Sequence, residues 1–128
     1  MRGGITYNLV VVRSSELSDT EVDAIFGALA DATRRDIIVR VMRHEQSVSS
    51  LAAHYSMSFA AVQKHVAVLE RASLIHKQRS GREQIVHAVP QSIAQARSLL
   101  DQWEELWRHR AAQMERILAE GELERSES

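Results

Sequence analysis

Residues 50–75 read SLAAHYSMSFAAVQKHVAVLERASLI, and this stretch decides the fold. Its apolar positions predict a helix, a tight turn and a second helix that begins near Ser58. In the second helix Val62, Val66 and Leu69 recur at helical spacing and form the predicted core stripe, which leaves polar side chains on the other faces. The pattern is typical of a DNA-reading helix-turn-helix and also of an amphipathic hairpin in a helical bundle. The flanking sequence therefore has to separate the two interpretations.

Three helices are predicted before the one that begins near Ser58. Two precede residues 50–75, and the third is the first helix of that stretch. The first begins at Ser18 or Thr20, and its apolar face contains Val22, Ile25, Phe26 and Leu29. The second follows caps offered by Asp31 and Thr33, and its inner face contains Ile37, Ile38, Val41 and Met42. The third follows a cap at Ser47, and its inward residues are Val48, Leu51, Ala52 and Tyr55. The sequence is therefore predicted to be mostly helical from residue 18 to residue 72.

Residues 74–89, LIHKQRSGREQIVHAV, predict two strands joined by a polar tip, and Gly81 in that tip is a strong hairpin signal. A long amphipathic helix follows, from Gln91 to about Glu120, and it carries both tryptophans. Its apolar surface exceeds what a small domain needs for its own core. We therefore predict a symmetric homodimer through the first and last helices, and packing against its own monomer is the alternative. The predicted dimer-interface residues are Phe26, Leu100, Trp103, Trp107 and Met114.

The element order α-α-α-α-β-β-α predicts a mainly α fold with a small β-hairpin wing, the winged helix-turn-helix. In such a fold one helix enters the major groove of DNA while the wing reaches the backbone or the minor groove. Gln pairs with adenine, Lys reaches guanine or phosphate, and Phe or Ala contacts a thymine methyl group. The predicted DNA-binding residues are Arg34, Arg35, Ser58, Phe59, Ala60, Gln63, Lys64, Lys77, Arg79, Ser80 and Arg82.

The formal charge of −1 over 128 residues does not suit a nucleic-acid binder until it is divided along the sequence. Residues 1–31 contain two basic and five acidic side chains, and residues 91–128 contain five basic and eight acidic ones. Residues 32–57 contain four basic and two acidic side chains, whereas residues 58–82 contain five basic and one acidic. A basic middle between acidic ends directs phosphate to one face.

Three blocks in order resemble the ArsR/SmtB family of bacterial repressors. They are ALADATRRDII (residues 28–38), the helix-turn-helix of residues 47–75, and RSGREQIVHAV (residues 79–89). The resemblance covers roughly residues 20–118 and implies a dimeric repressor that binds a palindromic operator in double-stranded DNA. It leaves an N-terminal arm over residues 1–17, expected to be a strand or disordered, and a disordered tail over residues 121–128.

The chain departs from the family pattern at several positions. Ala32 stands where proline is usual, Gln63 where serine is usual, and Val66 where leucine is usual. Ser56 and Ser73 both replace glycine, in the turn and before the wing, and His87 replaces tyrosine. We expect Ser56 to adopt a left-handed conformation at modest cost.

Neither metal site of the family carries over to this sequence. The third helix lacks cysteine, and Trp103 stands at the first histidine position of the site in the last helix. His65 matches a histidine of the family's recognition helix, and we predict that it is a hydrogen-bonded packing residue. We expect no metal and no cofactor, although a metal-responsive repressor with a non-standard His/carboxylate site is an alternative. A pocket for a small-molecule effector beside the two tryptophans is another, weaker alternative to plain dimer packing.

Other function classes have less support. The absence of cysteine suits a reducing cytoplasm, and no segment resembles a signal peptide or a membrane span. No phosphate-binding loop, nucleophile elbow or zinc-binding His-Glu pair is present, so we expect no enzyme. A winged helix that binds a protein partner instead of DNA is the remaining alternative, because the overall charge is negative and Phe59 is unusual.

Overall fold

The computed structural model describes residues 17–127. The predicted N-terminal arm over residues 1–17 therefore lies outside the described residues, except for Leu17. The helices are α1 (Asp19–Leu29), α2 (Ala32–Arg43), α3 (Val48–Ala52), α4 (Phe59–Arg71) and α5 (Pro90–Glu127). The strands are β1 (Gln46–Ser47), β2 (Ile75–Ser80) and β3 (Glu83–Ala88).

The three strands form an antiparallel sheet in the order β1-β3-β2. The hairpin of β2 and β3 runs in register from Ile75 opposite Ala88 to Ser80 opposite Glu83. The predicted fold class, a mainly α winged helix-turn-helix with a β-hairpin wing, is confirmed. Strand β1 was not predicted, because two residues are too few to show an alternating pattern. Strand β1 is defined by its antiparallel hydrogen-bonded pairing with β3, where Ser47 lies opposite Ile85.

Each of the first four helices begins at a side-chain cap. The side chains of Ser18, Asp31, Ser47 and Ser58 each accept a hydrogen bond from a backbone N–H in the first helical turn, at 3.0 to 3.1 Å. Ser18 forms a full capping box, because Glu21 in turn accepts from the Ser18 backbone N–H at 2.8 Å. These caps agree with the helix starts predicted from the sequence.

The core of residues 17–96 is built where the helical stripes meet the inner face of the sheet. Its fully buried side chains are Ile37, Leu51, Val62, Val66, Leu69, Leu74, Ile75 and Val86. The prediction that Met42 faces inward is wrong, because its side chain is 51% exposed. Met42 lies about 40° beyond Ile38 around α2, at the edge of the stripe that the core covers.

Residues 97–127 form a second unit that consists of the greater part of α5. The helix continues to Glu127, so its predicted end near Glu120 and the disordered tail beyond it are wrong for residues 121–127. The polar tail begins with Gly121, but a single glycine costs a helix only about 1 kcal/mol and its neighbours are good helix formers. Within residues 17–127, no helix is long and apolar enough to cross a membrane.

Candidate nucleic-acid interface

The N-terminal half of α4 presents an exposed face with three kinds of binding group. Phe59 is 46% exposed, and Ala60, Gln63 and Lys64 are exposed beside it. The opposite face of the helix lies in the core and fixes its rotation. Apolar, amide and ammonium groups are therefore aligned along the first turns of one helix, the part that a major groove admits.

Ser58 and Lys64 differ in whether their polar groups already have a partner within the protein. The Oγ of Ser58 accepts a hydrogen bond from the N–H of Ala61 at 3.1 Å, so this hydroxyl caps α4 and keeps only its own proton to donate. Lys64 has no ion pair among residues 17–127. Its charge therefore remains available to a ligand.

The wing carries Lys77 and Arg79 on one face of its sheet and Arg82 in its tip. Lys77 pairs with Val86 and Arg79 with Gln84, on the sheet face that contains the buried Val86, whereas Ser80 lies on the other face. The tip is the two-residue turn Gly81-Arg82, in which Gly81 has φ 64°. Because Arg82 does not share the positive φ, the turn is of type II′, which places glycine first.

The three wing cations also differ in the contacts that they form within the protein. The Nζ of Lys77 lies 3.5 Å from the Glu70 carboxylate on α4, so part of its charge is neutralised within the protein. The Nε of Arg79 donates to the Gly81 carbonyl at 3.2 Å, which folds this side chain onto the tip. Arg82 is exposed and forms no ion pair within the described part of the chain. It is the freest cation of the wing.

A cleft of ≈180 Å³ separates α4 from the wing. Phe59 and Gln63 line it from α4, and Lys77 and Arg82 line it from the wing. The structure thus brings together four of the predicted DNA-binding residues, two of them cationic, around one concave surface that Glu83 also lines.

Arg34 and Arg35 do not join this surface. The Nε of Arg34 donates to the Ala28 carbonyl at 2.8 Å, and its terminal nitrogen donates to the Gly27 carbonyl at 3.1 Å. Arg35 donates to the Leu29 carbonyl at 2.8 Å. The last carbonyls of a helix have no partner within it, and cations stabilise that end of the helix dipole. The structure therefore assigns both arginines to the C-terminus of α1.

The left-handed residue lies after α4 and not in the turn before it. Within residues 17–127, Ser73 is the non-glycine residue with positive φ, at 60°, so the prediction of left-handed strain at Ser56 is wrong. The N–H of Ser73 donates to the Glu70 carbonyl, and that of Leu74 donates to the Leu69 carbonyl at 3.0 Å. These two bonds form a Schellman motif, which requires a left-handed residue at the position of Ser73.

The turn before α4 is held by a side-chain network that could not be expected from the sequence alone. The hydroxyl of Tyr55 donates to Asp36 at 2.6 Å, and the Nε of Arg40 donates to the same carboxylate oxygen at 2.7 Å. The Tyr55 and Arg40 hydrogen bonds hold the pKa of Asp36 below its usual value. Burial, followed by the bond to Asp36, raises the pKa of Tyr55 to about 12. This network ties the segment that precedes Ser58 to α2.

The histidines do not gather into a ligand set. His65 is half-buried on α4, and its Nδ1 lies 3.4 Å from Arg34, as predicted for a hydrogen-bonded packing residue. On the sheet, His87 contacts Glu45 at 2.8 Å and stacks on His76. Among residues 17–127, no group of three or more His, Asp and Glu side chains could hold a metal ion.

The second unit carries an apolar face along α5. Trp103 is 54% exposed and Trp107 is 71% exposed. Together with Leu106 and Arg110 they surround an open hollow of ≈370 Å³. Leu100 and Met114 continue the face in both directions, and Phe26 of the first unit is half-buried on α1. A run of large exposed apolar side chains of this length marks an interaction surface.

The fold and this surface define the chain as a winged helix-turn-helix protein, and comparison with known proteins agrees. An HTH-type transcriptional regulator of Mycobacterium tuberculosis, Rv2034, is 33% identical over 81 residues, which are 63% of this chain and 76% of that protein. The solved ArsR-like transcriptional regulator from Rhodococcus sp. RHA1 is 31% identical with a TM-score of 0.70, covering 77% of this chain and 92% of that one.

A third relative, a solved structure described as a possible transcriptional regulator for arsenical resistance, is 36% identical with a TM-score of 0.57. The match covers 66% of this chain and 91% of that one. No family model matches the sequence. On these likenesses the chain belongs to the ArsR family of transcriptional regulators, as its sequence motifs predicted.

Proposed function

We propose that the protein is a dimeric repressor that binds a palindromic operator in double-stranded DNA. The exposed face of α4 enters the major groove, and the wing contacts the phosphate backbone. The observation that carries the proposal is the juxtaposition of Phe59 and Gln63 on α4 with Lys77 and Arg82 on the wing around one cleft.

The chemistry of this surface matches the edge of a base pair and the phosphates beside it. The Gln63 amide is suited to bidentate pairing with adenine, and the Phe59 ring to contact with a thymine methyl group. Lys64 reaches either a guanine or a phosphate, and both roles need the unpaired ammonium group that it has here. Arg82 and Arg79 at the wing supply phosphate contacts that position the protein without reading sequence.

The apolar face of α5 supports a homodimer. Leu100, Trp103, Trp107 and Met114 are each about half exposed or more in the single chain, and burying them against a second copy removes this surface from water. In a two-fold dimer of this family of folds, two recognition helices lie ~34 Å apart, one turn of DNA. The operator is therefore expected to be a palindrome with that half-site spacing.

The proposal is tested by binding of the purified protein to DNA from upstream of its own gene. If Lys64, Arg79 and Arg82 of both copies each neutralise one phosphate, the slope of log K against log salt is about −5. Lys64→Ala and Gln63→Ala are expected to weaken operator binding or change base preference. Arg79→Ala and Arg82→Ala are expected to weaken all sequences alike and to flatten the slope.

Arg71→Ala provides the matched control, because Arg71 is an exposed cation at the opposite end of the same helix. The groove assignment is refuted if the four variants bind like wild type, or if Arg71→Ala loses as much affinity as they do. The dimer is tested separately by sedimentation of Trp107→Glu, which is expected to be a folded monomer. A dimer of unchanged affinity would show that α5 is not the interface.

A further inference from the structure

Arg34 connects three helices through one guanidinium group. Two of its nitrogens donate to carbonyls at the end of α1, at 2.8 and 3.1 Å, and its remaining nitrogen lies 3.4 Å from the Nδ1 of His65 on α4. Asp31, at the start of α2, lies 3.9 Å from the same group. The side chain of Arg34 is only 18% exposed. It is therefore part of the framework and not of the surface that faces a ligand.

The contact between Arg34 and His65 fixes the chemical state of the imidazole. A guanidinium has donors and no acceptor, so the Nδ1 of His65 must accept, and its proton resides on Nε2. Protonation of His65 would remove this acceptor and place a second cation against Arg34. The contact therefore exists only with neutral His65.

We propose that Arg34 and His65 are a positioning pair, through which the end of α1 sets the orientation of the recognition helix α4. The inference rests on the proposed function and adds that Arg34 affects DNA binding through His65, without touching phosphate. His65 follows Gln63 and Lys64 directly on α4. A change in the position of His65 therefore moves the two side chains proposed to contact bases in the major groove. Binding groups held in place before association lose less entropy when they bind.

The first test compares the salt dependence of operator binding by Arg34→Gln and Lys64→Ala. Arg34→Gln is expected to weaken binding about twofold to tenfold, the range of one hydrogen bond. Its slope of log K against log salt is expected to equal that of wild type, because no phosphate contact is lost. A slope flattened by about 0.9 per protomer would overturn the proposal, since it identifies Arg34 as a direct phosphate ligand.

The second test leaves Arg34 in place and changes its acceptor. His65→Asn retains an acceptor close to the Nδ1 position without titrating, and Asn and His have similar helix propensities. His65→Leu removes the acceptor. At about pH 8 the Asn variant is expected to bind like wild type and the Leu variant about twofold to tenfold more weakly.

The outcomes separate this inference from the proposed function. If wild type binds no operator at low salt, the proposed function fails and the positioning role fails with it. If wild type binds but both His65 variants match it, the positioning role alone fails. Thermal unfolding of each variant identifies loss of folding, and because the two His65 variants leave the capping bonds of α1 intact, they decide the question if Arg34→Gln does not fold.

Discussion

Replacing Ser73 by glycine is expected to stabilise the protein. Ser73 has φ 60°, in the left-handed region that costs an L-residue about 1–2 kcal/mol. Glycine removes that strain, although its unfolded chain is more flexible by roughly 0.5–1 kcal/mol. The net expectation is a gain of about 0.5–1 kcal/mol.

The bonds around Ser73 use its backbone and survive the substitution. Its N–H donates to Glu70, and its carbonyl accepts the hydroxyl of Ser92 at 2.7 Å. The side chain is exposed. The change therefore isolates the conformational contribution of one residue to the free energy of unfolding.

The assay is thermal and denaturant unfolding at fixed protein concentration, because dimerisation makes the midpoint depend on concentration. A gain of this size raises the melting temperature by about 2–6 °C for a domain of this length. Ser56→Gly is the matched control, since Ser56 is an exposed serine in a turn without positive φ. It is expected to lose about 0.5–1 kcal/mol. A loss at Ser73 or an equal gain at Ser56 would refute the reasoning.

Three further predictions concern single residues. Ala32→Pro is expected to raise the free energy of unfolding by about 0.4–1 kcal/mol, measured by chemical denaturation. Position 32 is the first residue of α2, and the preceding residue is already extended, with φ −119° and ψ 130°, as a following proline requires. A lower denaturation midpoint would contradict this. Titration of phenolate absorbance is expected to give Tyr55 a midpoint of about 12, and Asp36→Asn is expected to lower it. Since folding raises this pKa, the stability from Tyr55 is complete below about pH 10 and is lost toward pH 12, a loss that Tyr55→Phe should not show. Gly81→Ala is expected to lower the free energy of unfolding by about 1 kcal/mol. The loss comes only from the φ of 64°, because a Cβ at this position meets no atom within 4 Å. Gly27→Ala in α1 is the control, and it is expected to be neutral or stabilising.

Features decided by neighbouring residues could be predicted from the sequence. A cap needs only a short polar side chain three residues before an N–H, and so Ser18, Asp31, Ser47 and Ser58 marked the helix starts correctly. The hairpin turn at Gly81 is equally local. The core stripe of α4 follows from helical periodicity, which also identified the face left free for a ligand.

Features decided by distant residues could not be predicted in the same way. Both Ser56 and Ser73 stand where the family pattern that the sequence resembles has glycine, and neither carries a local signal of left-handed geometry. The choice is made by the Schellman bonds of α4 and by the chain direction into β2, which begins at Ile75. The network of Tyr55, Asp36 and Arg40 likewise depends on the approach of two helices.

The cations show why charge alone does not locate a binding surface. Segment 58–82 has five basic residues against one acidic, but Lys77 already lies 3.5 Å from Glu70. Arg34 and Arg35 are basic and near the helix-turn-helix in sequence, yet their donors are directed to the carbonyls of α1. A helix end without intrahelical partners attracts a guanidinium as phosphate does, since both present oxygen acceptors and negative potential. Only the packing of α1 against α2 decides between these roles for Arg34 and Arg35, whereas Lys64 and Arg82 form no ion pair in the described part of the chain.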